Sequence, residues 1–497
     1  MRNFILLFSI GFLICLSSCR SDFEFQHSVG GLRFSRDTVY LDTVFANIGS
    51  STYTLKVYNR SDKDISIPTI QLGKGLDSKY RITVDGMTGE NNRVFHNVEM
   101  LAKDSMYIFI ETTTGVADAD PTTFLYTDQI LFGETGNFQD VDLVTLVQDA
   151  YFLYPKRDED GNFLEYLQIG EDLVEGFVLD HADPVNGDEF VFGNDKPYVI
   201  YGLAAVPANE TLTIQPGARV HFHDLSGIIL ADGATINALG APSTADTQDN
   251  QIIFEGDRLE PDFSDIPGQW FGIWLTGNST GNFAYATLKN GIAPIYAQNA
   301  TVNLDKVQIY DNSQYGIYGQ TSTITATNVV VNSAGTATVA CLFGGTYNFT
   351  HCTINNNFVS SQQTAVWLNN YAEVDQAVVT EPLLAANFTN CIIFGSNQRE
   401  LLLDKNDDDT FNFNFTKCQI KYGQVGNELY NFLDDETNIV KGGNPRFRNI
   451  NENELMIGEN SDARGFGIDT DVDVDILENP RIDPFDLGAY NWTTFED

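Results

Sequence analysis

The stretch Thr211-Leu212-Thr213-Ile214-Gln215-Pro216-Gly217-Ala218-Arg219-Val220-His221-Phe222 decides the fold. Apolar residues alternate on either side of a Pro-Gly turn, which describes two short half-buried strands meeting at a bend. Glycines at 227, 233 and 240 continue the rhythm. Downstream, one pattern recurs: two apolar residues two apart, then a third three further on. It is filled by Phe283/Tyr285/Leu288, Val302/Leu304/Val307, Ile324/Ala326/Val329, Tyr347/Phe349/Cys352, Ala386/Phe388/Cys391 and Phe413/Phe415/Cys418. The middle positions are spaced 19, 22, 23, 39 and 27 residues apart. A recurring period with variable loops predicts a β-solenoid, in which like positions stack about 4.8 Å apart and insertions leave at corners.

Stacking also accounts for cysteine. Cys352, Cys391 and Cys418 occupy a position where other repeats place Leu or Val, so they are expected to form an inward apolar ladder rather than a disulfide pair or a zinc site. Asn328, His351, Asn390 and Lys417 directly precede that position and are expected at a bend or on an outward face.

Upstream, the texture is different. From Arg33 to Leu153, alternating segments such as Thr38 to Phe45, Thr52 to Tyr58, Ile65 to Leu72, Tyr80 to Val84, Met106 to Glu111, Phe124 to Phe132 and Val141 to Phe152 are separated by turn residues. Short strands with frequent turns predict a β-sandwich. The stretch 154–197 is acidic and turn-rich and is expected to be a connector. Within it, Asp158 and Asp160 precede Gly161 at alternate positions, a spacing that suits calcium and equally a plain Asp-Gly turn.

The chain opens with Arg2, an apolar run from Phe4 to Leu16, and Leu16-Ser17-Ser18-Cys19. That run is shorter than the roughly 20 residues needed to span about 30 Å of hydrocarbon, so it is expected to be a cleaved signal. The last four residues resemble the bacterial lipobox, which implies acylation, palmitate included, on Cys19. Ser21, Asp22, Phe23 and Glu24 resemble the surface-export signal of Bacteroidota lipoproteins.

With 68 acidic against 28 basic residues, the formal charge is −40. Such a surface repels phosphate backbones, acidic polysaccharides and anionic bilayers, and it excludes nucleic acid as a partner. The 35 Phe and 21 Tyr put this charge on a folded body rather than a disordered chain.

Two further resemblances organise the whole. The run Tyr53-Thr54-Leu55-Lys56-Val57-Tyr58-Asn59, followed by Ile65-Ser66-Ile67-Pro68 and Ala102-Lys103-Asp104-Ser105, resembles bacterial immunoglobulin-like modules. The motifs Leu212 to Gly217, Gly268-Gln269-Trp270-Phe271-Gly272-Ile273, Asn444-Pro445-Arg446-Phe447 and Asp486-Leu487-Gly488-Ala489-Tyr490 are similar to those of right-handed parallel β-helix proteins of bacterial surfaces; Ser461-Asp462-Ala463 departs from the usual small-Pro-Ala turn. The resemblance implies an all-β, surface-exposed lipoprotein of Bacteroidota type: signal peptide 1–18, lipidated tether 19–32, immunoglobulin-like sandwich 33–153, acidic connector 154–197, and parallel β-helix with a C-terminal cap 198–497.

Some β-helix proteins cleave glycans. Here Arg219, Lys289, Lys306 and Lys417 are scattered, and none is expected to share a face with an acidic cluster. Asp305 and Asp311 lie on neighbouring corners, Asp404, Asp407, Asp408 and Asp409 crowd one loop, and His221 and His223 lack a third metal ligand. No residue is assigned a catalytic role, and no cofactor is expected beyond calcium. Trp270, Trp274, Tyr296, Tyr310, Tyr315 and Tyr318 recur through successive repeats as an expected ligand face. The resulting expectation is a non-catalytic binding or scaffold module, held to the outer membrane by its N-terminal lipid, whose partner is an outer-membrane protein complex or a neutral glycan. The alternative is a glycan-active hydrolase or lyase.

Overall fold

A computed structural model describes residues 24–495 except 159, 161, 170, 171, 244–247, 359, 361, 424 and 425. The lipidated cysteine expected at Cys19 and the export residues Ser21, Asp22 and Phe23 lie outside the described residues, whereas Glu24 is described and exposed. The protein is all-β with large parallel sheets, and the helical turns among the described residues are short 3-10 segments. Two compact units divide at Asp149 and Ala150.

In the first unit, a four-stranded antiparallel sheet runs in the order Arg33–Phe34, Tyr53–Tyr58, Ser105–Thr112, Tyr80–Val84. A six-stranded mixed sheet contains Ile65–Leu72, Leu125–Glu134, Asn137–Gln148 and Thr38–Phe45, with Gln26–His27 and Val94–Met100 also on Ile65–Leu72. Alternation puts Leu55, Val57, Ile108 and Ile110 of one sheet and Val39, Leu41, Ile67 and Leu143 of the other into one core. The strand Val94–Met100 was not expected from the sequence, because His96 and Asn97 are both exposed and interrupt its alternation.

The second unit repeats a rung of three short strands. An eleven-stranded parallel sheet takes one strand from each rung, among them Arg219–Phe222, Ile252–Gly256, Ala286–Lys289, Gln308–Asn312, Val330–Ala334 and Thr353–Asn356. A seventeen-stranded sheet, continuous around bends, takes the other two, as with Gly272–Leu275 and Thr280–Ala284. The register passes through Phe283, Leu304, Ala326, Phe349, Phe388 and Phe415 as successive partners. The first repeat is therefore corrected by two residues: Phe283, not Tyr285, is the partner of Leu304. Gly281 fills the small position that the apolar pattern overlooked, and Tyr285 sits at the corner with a positive φ of 45°.

That corner recurs in left-handed backbone at Lys306, Asn328, His351, Asn390 and Lys417, as expected of a bend. Immediately after it, Cys352, Cys391 and Cys418 stack inward as fully buried free thiols, with the Cys391 Sγ 3.5 Å from the Cys352 amide.

Two segments differ from expectation. Tyr151–Leu153, read as the end of the sandwich, pairs in parallel with Tyr198–Ile200. The expected connector 154–197 contributes strands to the first rungs, where Gly176 pairs with Leu203 and Val191 with Thr213. Its acidic residues hide this, since among the described residues of the segment Phe177, Leu179, Phe190 and Phe192 are the ones in the buried core.

The expected terminal cap is also displaced. The last rung is covered by the 3-10 segment Glu428–Asp434, whose Phe432 stacks on Phe415 at 5.1 Å. Residues 444–492 instead lie along the outside of the eleven-stranded sheet, where Leu455, Ile457, Ile476 and Tyr490 cover Val330 and Ile392 in two small cores.

Candidate functional site

The ligand face expected from six aromatics separates into three environments. Trp270 is fully buried, stacked on Phe222 at 4.3 Å, and its Nε1 donates to the Lys289 carbonyl at 2.8 Å. Tyr310 packs beneath the C-terminal segment beside Ile476 and Tyr490. Both are core residues, because a hydrophobic ring on a rung strand is equally at home inward or under a covering segment.

The other four gather on the outer face of the seventeen-stranded sheet. Trp274, Tyr296 and Tyr318 are successive partners across three rungs. Tyr296 and Tyr318 stack at 4.5 Å with planes 11° apart, Trp274 meets Tyr296 edge-on at 5.8 Å, and Tyr315 leans on Tyr318 at 5.1 Å. Phe271 joins Trp274 and Tyr296 at 5.8 and 5.7 Å. All five rings are half-buried.

Amides run beside the rings. Trp274 Nε1 donates to Gln298 Oε1 at 2.9 Å, Gln298 Nε2 donates to Gln320 Oε1 at 2.9 Å, and Tyr318 OH donates to the same oxygen at 3.2 Å. These bonds fix ring orientation without consuming the ring faces. Gln298 and Gln320 were missed in the sequence, although their register, like that of the tyrosines, follows from the 22-residue spacing between them. The row continues through Ala340 to Trp367, which was also missed.

The outer face of the eleven-stranded sheet carries ionisable groups in line: His221 and Glu255 are strand partners, and Lys289 follows Leu288, the partner of Phe254, on the next strand. Lys289 Nζ lies 2.8 Å from Glu255, so one of the scattered cations is paired with a single carboxylate on this face. His221 is buried against Glu255 at 3.7 Å, and burial lowers its pKa. Further along, Asp311 accepts from Asn453 Nδ2 at 2.9 Å, and burial raises its carboxyl to about 6, with Asp265 adding to the rise. His223 does not share this environment; it is exposed and bonded to Asp257 at 2.8 Å. Asp305 lies apart beside the Lys306 corner, and burial raises its pKa.

The remaining candidates are local. Asp158 accepts from the amides of Asp160 and Asn162 at 3.0 and 2.8 Å, closing a turn. Among the described residues, no group of three or more His, Cys, Asp or Glu side chains converges in a way that could hold a metal ion. Asp404, at the end of its strand, accepts from Tyr371 OH at 2.9 Å, and Asp407 pairs with Lys405 of its own loop at 2.7 Å.

No known protein-family model and no curated protein matches the chain.

Proposed function

We propose that the chain is a surface-displayed outer-membrane lipoprotein of Bacteroidota type, acylated at Cys19, in which an immunoglobulin-like sandwich precedes a right-handed parallel β-helix that serves as a non-catalytic binding or scaffold module. The observation carrying this reading is the ring row of Trp274, Tyr296 and Tyr318, flanked by Phe271 and Tyr315 and pinned by Gln298 and Gln320. A half-buried row of rings one rung apart, held rigid by its mutual stacking and by amides and bearing no charge, suits apolar contact with a neutral glycan lying along it. A net charge of −40 argues against acidic glycans at the same face.

Titration calorimetry of the full chain with uncharged polysaccharides tests the ligand. Binding is expected, and Tyr318→Ala is expected to weaken it about tenfold, roughly 1.4 kcal/mol. Absence of binding to every neutral glycan removes this ligand and leaves the scaffold role, which pull-down from mild-detergent extracts tests by recovery of a defined outer-membrane complex. Mass spectrometry of the mature N-terminus tests acylation on its own.

The hydrolase or lyase alternative draws on Asp311 and on the Lys289–Glu255 pair. It requires release of new chain ends from a glycan, abolished by Asp311→Asn.

A further inference from the structure

The outer face of the four-stranded sheet in the first unit has the opposite character to the rest of the chain. Alternation points Lys56 and Tyr58 of one strand, Tyr107 and Phe109 of the next, Arg81 of the third and Arg33 of the fourth to this face. Lys56 pairs across with Tyr107 and Arg33 with Tyr58. The Lys56 ammonium sits 5.0 Å from the Tyr107 ring and 5.5 Å from Tyr58, and Arg60 lies 4.4 Å over Tyr58. Tyr107 and Phe109 stack at 6.5 Å and remain 47% and 40% exposed. Glu111, 3.7 Å from Arg81, is the acidic residue on these strands' outward positions. The six-stranded sheet instead exposes Glu99, Asp140 and Asp142.

We infer that this basic and aromatic face lies on the headgroups of the bilayer that holds the anchor, with the cations toward anionic phosphate and the rings of Tyr107 and Phe109 at the interface. The inference rests on the proposal that Cys19 is acylated. Two observations single out this occupant. Charge complementarity is local: Lys56, Arg60, Arg33 and Arg81 stand together in a chain of net charge −40. Chain length supplies the second. Six residues lie between Cys19 and Gln26, where the first strand begins, so even fully extended the seven residue steps reach about 25 Å. An anchored first unit thus stays at the membrane. There, repulsion from the whole chain is screened beyond about 8 Å, and the contacting face decides. Tyrosine and phenylalanine beside Lys and Arg are the composition that interfaces favour.

The test uses the full mature chain carrying Cys19→Ser, so that lipid attachment plays no part. Its co-sedimentation is measured with vesicles of phosphatidylcholine containing phosphatidylglycerol and with pure phosphatidylcholine vesicles. Partitioning onto the anionic vesicles is expected, falling steeply with salt and about a hundredfold in the combined variant Arg33→Gln, Lys56→Gln, Arg60→Gln, since each cation near such a surface contributes about a factor of five. Should that variant misfold, the salt dependence of the parent chain decides. Equal partitioning onto both vesicle types, or salt-independent partitioning, overturns the inference. Acylation is scored separately on the mature N-terminus of the native chain: failure of the Cys19→Ser chain to bind anionic vesicles while the native Cys19 is acylated rejects only this face, and vesicle binding by the Cys19→Ser chain while the native Cys19 is not acylated rejects only the anchor.

Discussion

At the scale of single residues, several groups in the second unit exist in forms that water would not favour. Glu400 is fully buried, accepts from the Asn397 amide at 2.6 Å, and burial lifts its carboxyl to about 8. Its folded pKa lies above the unfolded value, so the folded state holds a proton that the unfolded state releases. Stability is complete below about pH 4.5 and declines as pH rises toward 8. Glu400→Gln keeps the shape and removes the titration. Urea denaturation at pH 5 and pH 9 is expected to show a smaller loss for the variant than for the parent; equal losses would show that Glu400 does not carry the slope. The thiols are the apolar counterpart. Burial raises the pKa of Cys352 and Cys391, which withholds the reactive thiolate. An aromatic disulfide reagent is expected to label them only at the rate at which the rungs open, and Cys391→Ser, which adds a hydroxyl to that ladder, is expected to cost about 1–3 kcal/mol.

At the scale of elements, the corner ladder and the C-terminal segment form one device. Descending the corner, Lys417 faces Phe466, Asn390 donates to the Ile468 carbonyl, His351 meets Thr470, Asn328 donates to the Val474 carbonyl, and Lys306 pairs with Glu478. The segment thus runs down successive rungs while filling the polar needs of left-handed corner residues. Arg481 locks it, donating from Nη2 to Asn328 Oδ1 at 2.6 Å and to the carbonyls of Gly488 and Ala489 at 3.0 and 3.2 Å. Arg481→Ala strands those buried acceptors and is expected to cost about 2–4 kcal/mol. Hydrogen exchange should show peptides from 444–492 losing protection before any rung strand does. Acid acts at the same place. Burial holds His351 down at about 3, with Arg481 as the second cause. Its folded pKa is depressed, so its contribution is complete above about 6.5 and is lost as pH falls toward 3. His351→Gln should flatten the stability profile across that window, and an unchanged profile would exclude His351 as the cause. The sequence disclosed the corner, because Asn328, His351, Asn390 and Lys417 keep one offset from the inward position. It also disclosed the cysteine ladder by the same offset. What it hid depends on contacts far apart in the chain. Nothing local tells that Arg481 meets Asn328, or that Lys289 faces Glu255 across an insertion containing Gly268 and Trp270. The inward fate of Trp270 was hidden likewise, since only the true register distinguishes it from Trp274.

At the scale of the whole molecule, charge is divided unequally. The first unit has 12 basic against 19 acidic residues and the second 16 against 49. Self-repulsion grows faster than linearly with net charge, so it weighs far more on the second unit. That unit compensates with stacked ladders in which each rung is held by its neighbours. In a stack of this kind stability is built from rung and interface contributions, and screening repulsion between rungs acts on all of them together. Raising salt from 0.1 M to 1 M shortens the screening length from about 10 Å to about 3 Å, which is less than one rung spacing of about 4.8 Å. Calorimetry of the full chain is therefore expected to resolve two transitions, with sodium chloride raising the one that belongs to the second unit by more than it raises the other. Hydrogen exchange during a heating series assigns each transition to its unit through peptides from Tyr53–Tyr58 and from Tyr315–Thr327. A single transition would mean that the units unfold together, and equal salt shifts would mean that the excess acid on the second unit is already neutralised by local pairing rather than borne by the stack.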